Sequence, residues 1–161
     1  MDKIKVFIAL GSNLGDRRGN IEKALEELKG SRMVEVVKVS KICETDAVGG
    51  PPQDKFLDAV AELRTLLTPH ALLVLLKDVE KKVGRSPTGV RWAPREIDLD
   101  ILLYGSLEMD EPDLTIPHPR LHLRRFMLEP LSEIAPEAVH PILKKTVAEI
   151  LEDLKDNPSN A

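Results

Sequence analysis

Asp98 and Asp100 stand two residues apart in Ile97-Asp98-Leu99-Asp100-Ile101-Leu102-Leu103-Tyr104, a run that reads as a strand over 97–104. A strand's period of two puts both carboxylates on one face and points Leu99, Ile101 and Leu103 the other way, into a helix-packed core. Neighbouring carboxylates repel and resist desolvation, so a purely structural role would need a partner for each. A hard divalent cation resolves that conflict, and Mg²⁺ is commonly held by one or two carboxylates plus phosphate oxygens. D-x-D alone is a weak motif, however, and an exposed strand face with two solvated acids has the same spacing.

The preceding segment adds positive charge. Arg85, Arg91 and Arg95 fall within eleven residues, behind Lys81 and Lys82. Guanidinium forks match phosphate oxygens, so cations opening directly onto paired acids suit a Mg–polyphosphate substrate; a solvated basic loop is the alternative. Gly84, Pro87, Gly89 and Pro94 punctuate 84–96, which reads as a loop able to close over a ligand, and the only tryptophan, Trp92, lies inside it. Downstream, Ile116-Pro117-His118-Pro119 and Arg124-Arg125-Phe126 supply a histidine, two cations and an aromatic ring. His118 alone has an equally good structural reading, and the two arginines could simply complement helix charges. Gly11 and Gly15 resemble a phosphate loop only superficially, because the Lys-Ser/Thr ending is missing; they read as a tight strand-to-helix turn.

The elements that must position these residues follow from hydrophobic period and punctuation. Residues 4–10 form an apolar strand, and Asp16 caps a helix over 17–29 with Ile21, Leu25 and Leu28 at helical spacing and Gly30 closing it. Strands follow at 33–42 and 57–65, then a helix capped by Thr68-Pro69 and ended by Gly84. With the strand at 97–104 the order is βαββαβ, an α/β (α+β) ferredoxin-like antiparallel sheet with helices on one face. Residues 105–161 add a short hairpin, a helix near 124–134 and another near 144–155, with a disordered tail from Asp156. The long connections, 43–56 and 84–96, are expected on the sheet's open side or rim, where chemistry is to be sought.

Composition bounds the rest. A chain of 161 residues, 42% hydrophobic and 31% charged, fits one globular domain over 1–161. A net charge of −4 argues against a general nucleic-acid or membrane-surface binder. Cys43, the only cysteine, excludes an internal disulfide or a zinc cluster and is expected as a packing residue. With neither signal-peptide anatomy nor an apolar run of membrane length, the chain reads as a cytoplasmic monomer.

Four segments carry a resemblance: G-S-N-L-G-D at 11–16, F-L-D-A-V at 56–60, R-W-A-P-R-E-I-D-L-D-I-L-L-Y-G at 91–105, and I-P-H-P with R-F-M-L-x-P-L across 116–131. In order and spacing they resemble the 6-hydroxymethyl-7,8-dihydropterin pyrophosphokinases. The resemblance implies a ferredoxin-like fold and transfer of pyrophosphate from ATP to the pterin's hydroxymethyl oxygen, with two Mg²⁺ held by Asp98 and Asp100. It also implies that Arg85 and Arg95 reach the phosphates, with Trp92 sealing the closed state. His118 and Arg124 would lie along the ATP phosphates, with Ile101 and Thr115 near the nucleotide. Phe126 would stack on one face of the pterin and Phe56 would form the other wall. Thr45 and Val48 would line that pocket through their backbone, and Glu80 would sit near the loops.

Three positions depart from the family's commoner pattern. Pro87 stands where a second loop arginine is frequent, Phe56 where Tyr is frequent, and Asp58 where an Asn contacts the pterin edge. The rival readings are a metabolite- or RNA-binding module and a different ATP-dependent phosphoryl transferase. The sheet lacks the aromatic platform that RNA binding needs.

Overall fold

A computed structural model describes residues 2–45, 55–84 and 96–156. Its central strand is β1 (Ile4–Ser12), which pairs antiparallel on one side with β4 (Phe56–Thr65) and on the other with β5 (Asp98–Tyr104). Beyond β4 lies β2 (Val34–Val39), giving the order β2-β4-β1-β5 expected for a ferredoxin-like sheet. A short strand, β3 (Cys43–Thr45), pairs with the start of β4 and was hidden in what reads as loop.

α1 (Arg17–Gly30) and α2 (Pro69–Val83) pack on one face of the sheet. The Asp16 side chain caps α1 by accepting the Gly19 N–H at 3.1 Å, and Thr68 caps α2 by accepting the Ala71 N–H at 3.3 Å. Gly84 ends α2 with φ 117°, a left-handed conformation that favours glycine. Ile21, Ala24, Leu25 and Leu28 of α1 and Leu72, Leu76 and Val79 of α2 bury against Val6, Ile8 and Leu10 of β1.

The chain beyond β5 does more than decorate this unit. It forms a hairpin, β6 (Met109–Glu111) and β7 (Leu114–Ile116), then α3 (Arg125–Ile134), a second hairpin, β8 (Val139–His140) and β9 (Lys145–Thr146), and α4 (Val147–Asp156). α4 starts later than its periodicity suggests because Thr146 and Glu149 form a capping box. Thr146 Oγ1 accepts the Glu149 N–H at 3.2 Å, and Glu149 Oε1 accepts the Thr146 N–H at 3.0 Å. Met127, Leu128 and Leu131 of α3 and Val147, Ile150, Leu151 and Leu154 of α4 cover Phe7, Val60, Leu102 and Leu103. The sheet's second face is therefore roofed over part of its length.

Leu103 corrects the strict alternation expected for 97–104. Ile8 pairs with Ile101 but Phe7 pairs with Leu103, so Leu102 is an extra residue in a β-bulge. Leu99 and Ile101 stay in the α1–α2 core, whereas Leu102 and Leu103 both join the α3–α4 cluster. Cys43 is a second correction. It is exposed, because β3 is only three residues long and lies at the sheet's margin. Gly11 and Ser12 continue β1, so the turn into α1 starts only at Asn13.

The two-sided core has a measurable consequence. Leu128→Ala, at a fully buried position on the inner side of α3, should lower unfolding stability by about 2–5 kcal/mol in urea titration. Val74→Ala, on the exposed side of α2, should stay within about 0.5 kcal/mol of the parent. Equal stability in the two variants would mean that α3 does not contribute to the core.

Candidate active site

The registers of β1 create the site. Gly11 is the Cα partner of both Asp58 and Asp98, and Ala9 of both Val60 and Asp100. Partners across a ladder share a face, so Asp58, Asp98 and Asp100 leave the same side of the sheet. Asp98 and Asp100 are about 7 Å apart along β5, and Asp58 lies two strand spacings from Asp98, roughly 10 Å between backbones. The floor between them is Gly11 and Ala9. A Cβ on Gly11 would stand 3.1 Å from Asp58 Oδ1 and 3.4 Å from the Phe56 ring, so glycine makes room for both side chains.

Asp58 is 8% exposed, and the Thr45 hydroxyl donates to its Oδ2. Burial pushes its carboxyl up to about 6; the Thr45 bond works against that shift, and the charge of Asp98 reinforces it. On the other side of Asp98, β5 is anchored by Glu80, 2% exposed on α2. Glu80 Oε2 accepts the Leu99 N–H at 2.8 Å, between the two aspartates, and Oε1 is 3.3 Å from Lys77 Nζ. A strand edge that carries two like charges is thus fastened from behind.

The bulge places the next group. Leu102 has no partner on β1, and its carbonyl accepts the His118 N–H at 2.9 Å. His118 Nδ1 accepts the Arg120 N–H at 3.1 Å, which leaves the ring proton of a neutral imidazole on Nε2. Burial, then Arg124 and Arg120, lower the His118 pKa to about 4, while Asp98 pulls the other way. Arg124 Cζ lies 5.9 Å from the Phe126 ring centroid, within cation–π range. A chain of interactions therefore runs from Asp58 through Asp98, His118 and Arg124 to Phe126.

Several expected residues sit differently. The Ile101 side chain is buried in the α1–α2 core, so only its main chain on the edge strand could meet a nucleotide. Thr115 is on β7, with Oγ1 3.4 Å from Asp110 Oδ1. Val48, Arg85, Trp92 and Arg95 lie outside the described residues, as does Pro87. Arg120 was not singled out from sequence, although its place two residues after His118 in a basic stretch was a usable signal.

The described residues that could group around a metal ion as three His or carboxylate donors are elsewhere. His70 Nε2 is 3.0 Å from Glu111 Oε2 and 3.3 Å from Asp113 Oδ1, all three exposed. His70 is in the first turn of α2, close to Leu67, whose carbonyl accepts the Tyr104 hydroxyl. Tyr104 is six residues along β5 from Asp98, about 20 Å, so that trio and the aspartate pair cannot serve one small substrate.

Because its pKa is lowered, neutral His118 adds stability at and above pH 6.5, and that contribution is lost as pH falls toward 4. Nitrogen-15 NMR should show the Nε2–H tautomer of His118 throughout pH 5.5–8. A ring that titrates near its ordinary value of 6.5 would show that it is neither buried nor held beside Arg124 and Arg120.

The family model described as 7,8-dihydro-6-hydroxymethylpterin-pyrophosphokinase (HPPK) matches residues 7–136. The chain is 44% identical over 144 residues to a 2-amino-4-hydroxy-6-hydroxymethyldihydropteridine pyrophosphokinase of Aquifex aeolicus, covering 89% of this chain and 88% of that protein. It is 45% identical over 128 residues to the protein of the same name in Bacillus subtilis, covering 80% and 76%. In backbone it is similar to Plasmodium falciparum HPPK-DHPS with pteroate, at TM-score 0.75 and 13% identity, covering 98% of this chain. It spans only 46% of that longer chain, and at such identity the likeness concerns the fold alone. With a match running from β1 to the end of α3, over the strands that carry all three aspartates, the chain belongs to the 7,8-dihydro-6-hydroxymethylpterin-pyrophosphokinase family.

Proposed function

We propose that the protein transfers the pyrophosphoryl group of ATP to the hydroxymethyl oxygen of 6-hydroxymethyl-7,8-dihydropterin in folate biosynthesis. The hydroxyl oxygen forms a bond to the β-phosphorus, the bond from that phosphorus to the α,β-bridging oxygen breaks, AMP departs, and the hydroxyl proton passes to solvent. The observation that carries this reading is one sheet face holding an acid pair on β5 and a buried acid on β4, with Gly11 between them.

Asp98 and Asp100 present hard oxygen donors side by side, the donor set that suits Mg²⁺, and we assign two such ions to them. The ions would neutralise phosphate oxygens as charge shifts to the leaving group. His118 would donate from Nε2 to a phosphate oxygen without adding a full charge, and Arg124 would add one. Arg85 and Arg95 would complete the phosphate contacts, Trp92 would help exclude water, and Ile101 and Thr115 would flank the nucleotide. Phe56 and Phe126 would enclose the pterin ring, with Thr45 and Val48 at its edge. An exposed lone thiol, Cys43, suits a reducing compartment, and we place the reaction in the cytoplasm.

Asp58 would read the pterin edge. The ring offers N3–H and a 2-amino group as adjacent donors, and an ionised carboxylate meets each with its own oxygen where an amide has a single acceptor oxygen. The pterin would thus hold Asp58 in its charged form, which the apo protein favours only above about pH 6.

Incubation with ATP, Mg²⁺ and the dihydropterin alcohol should release AMP, and Asp98→Ala or Asp100→Ala should lower kcat by several orders of magnitude with the fold intact. Full activity in either variant, or in EDTA, would remove the metal assignment; ADP in place of AMP would point to a simple kinase.

A separate assay addresses Asp58. Asp58→Ala should raise the pterin KM at least about tenfold, leaving that for ATP nearly unchanged, while Asp58→Asn keeps substantial activity. The parent's pterin KM should rise as pH falls through about 6, and the Asp58→Asn variant should lack that rise. An unchanged pterin KM in Asp58→Ala would put the pterin elsewhere.

A further inference from the structure

We infer that Arg17 is a positioning residue for the pterin side of the site, holding β3 against the start of β4; the inference rests on the function proposed above. Arg17 is the first residue of α1, directly after the Asp16 cap. Its Nη1 donates to Glu44 Oε2 at 3.0 Å and to the Lys55 carbonyl at 2.8 Å. Glu44 is the middle residue of β3, and Lys55 immediately precedes β4. One guanidinium nitrogen thus joins the chain on either side of 46–54.

The register shows what depends on this. Glu44 pairs with Leu57, Thr45 with Phe56, and Cys43 with Asp58. Three of the residues assigned above to the pterin side, Thr45, Phe56 and Asp58, therefore lie within this three-pair ladder. Three pairs at a sheet margin make a marginal strand, and a one-residue slip would turn the Thr45 hydroxyl away from Asp58. The Thr45–Asp58 bond is also the one contact that favours the ionised carboxylate against its burial. Arg17 bonds to the chain next to these groups, at Glu44 and Lys55, and so fixes the register on which they rely.

Energetics point to binding as the readout. The Arg17–Glu44 pair is partly exposed, and exposed pairs add little to stability. The bond to the Lys55 carbonyl is charge-assisted and directional, so its loss frees a short segment without unfolding the domain. The variant should keep its fold and bind the pterin less well.

The test compares Arg17→Ala, Glu44→Gln, their double variant, Arg17→Lys and Asp58→Ala, with each substrate varied while the other is saturating. Arg17→Ala should raise the pterin KM about three- to tenfold, with the KM for ATP and the thermal midpoint almost unchanged. Glu44→Gln should raise it less, the double variant no more than Arg17→Ala, and Arg17→Lys should recover part of the loss. If Asp58→Ala raises the pterin KM and Arg17→Ala does not, the positioning role is overturned and the proposed function stands. Additive effects of Arg17→Ala and Glu44→Gln, or equal rises in both KM values, would likewise overturn it. If Asp58→Ala changes nothing, the pterin wall itself is misplaced and the role of Arg17 falls with it.

Discussion

Three carboxylates on one face of a small antiparallel sheet repel one another, and the surrounding structure is arranged to hold them there. Asp58 and Asp98 flank Gly11 in one cross-strand row, and Asp100 stands beside Ala9 in the next. The charge of Asp98 is felt at Asp58, and burial adds to the difficulty of ionising it. β5 is fastened at Leu99 by Glu80 from α2, and on β4 the Asp58 carboxylate itself is held by the Thr45 hydroxyl of β3. Positive charge stands on the chain after β7, where Arg120 and Arg124 lie close enough to His118 to lower its pKa.

This arrangement sets stability against binding at Asp58. Its carboxyl moves from 3.8 to about 6 on folding, so its contribution to stability is fully present below pH 3.8 and is lost as pH rises through about 6. Near neutral pH the ionised group costs about 3 kcal/mol, in a protein class whose whole margin is only several times that. In the proposed function a ligand with two adjacent hydrogen-bond donors would repay that cost on binding, by adding to the one donor, Thr45, that the fold gives the carboxylate. An asparagine at this position would avoid the cost and offer one acceptor oxygen fewer.

Much of this was legible in the residues themselves. The period of two in 97–104 placed Asp98 and Asp100 together, and Asp16, Thr68-Pro69 and Gly84 marked the helices closely. The misses have local physical causes. Strict alternation put Leu103 in the α1–α2 core, but a one-residue bulge at Leu102 reverses it, and no propensity in Leu-Leu announces a bulge. β3 is too short to show a period, so Cys43 was expected inside and is exposed. Gly11 read as part of a turn because glycine weakens strands; its use as a space between two acids depends on registers set by residues about fifty and ninety positions away.

The bulge at Leu102 joins the two halves of the site. A regular β5 would spend the Leu102 carbonyl on the ladder with β1; displaced from it, that carbonyl accepts the His118 N–H and fixes the segment carrying His118, Arg120 and Arg124. The same extra residue turns Leu103 into the α3–α4 cluster, where it helps seat the helix that begins with Arg125 and Phe126. One backbone irregularity thus sets the imidazole near Asp98 and the aromatic ring beside Arg124 at once. Phosphoryl transfer depends on positioning and charge neutralisation more than on covalent participation. Here the acids are positioned by regular pairing and the groups facing them by a departure from it, so the acid pair and the cationic segment facing it are both set by one strand, β5.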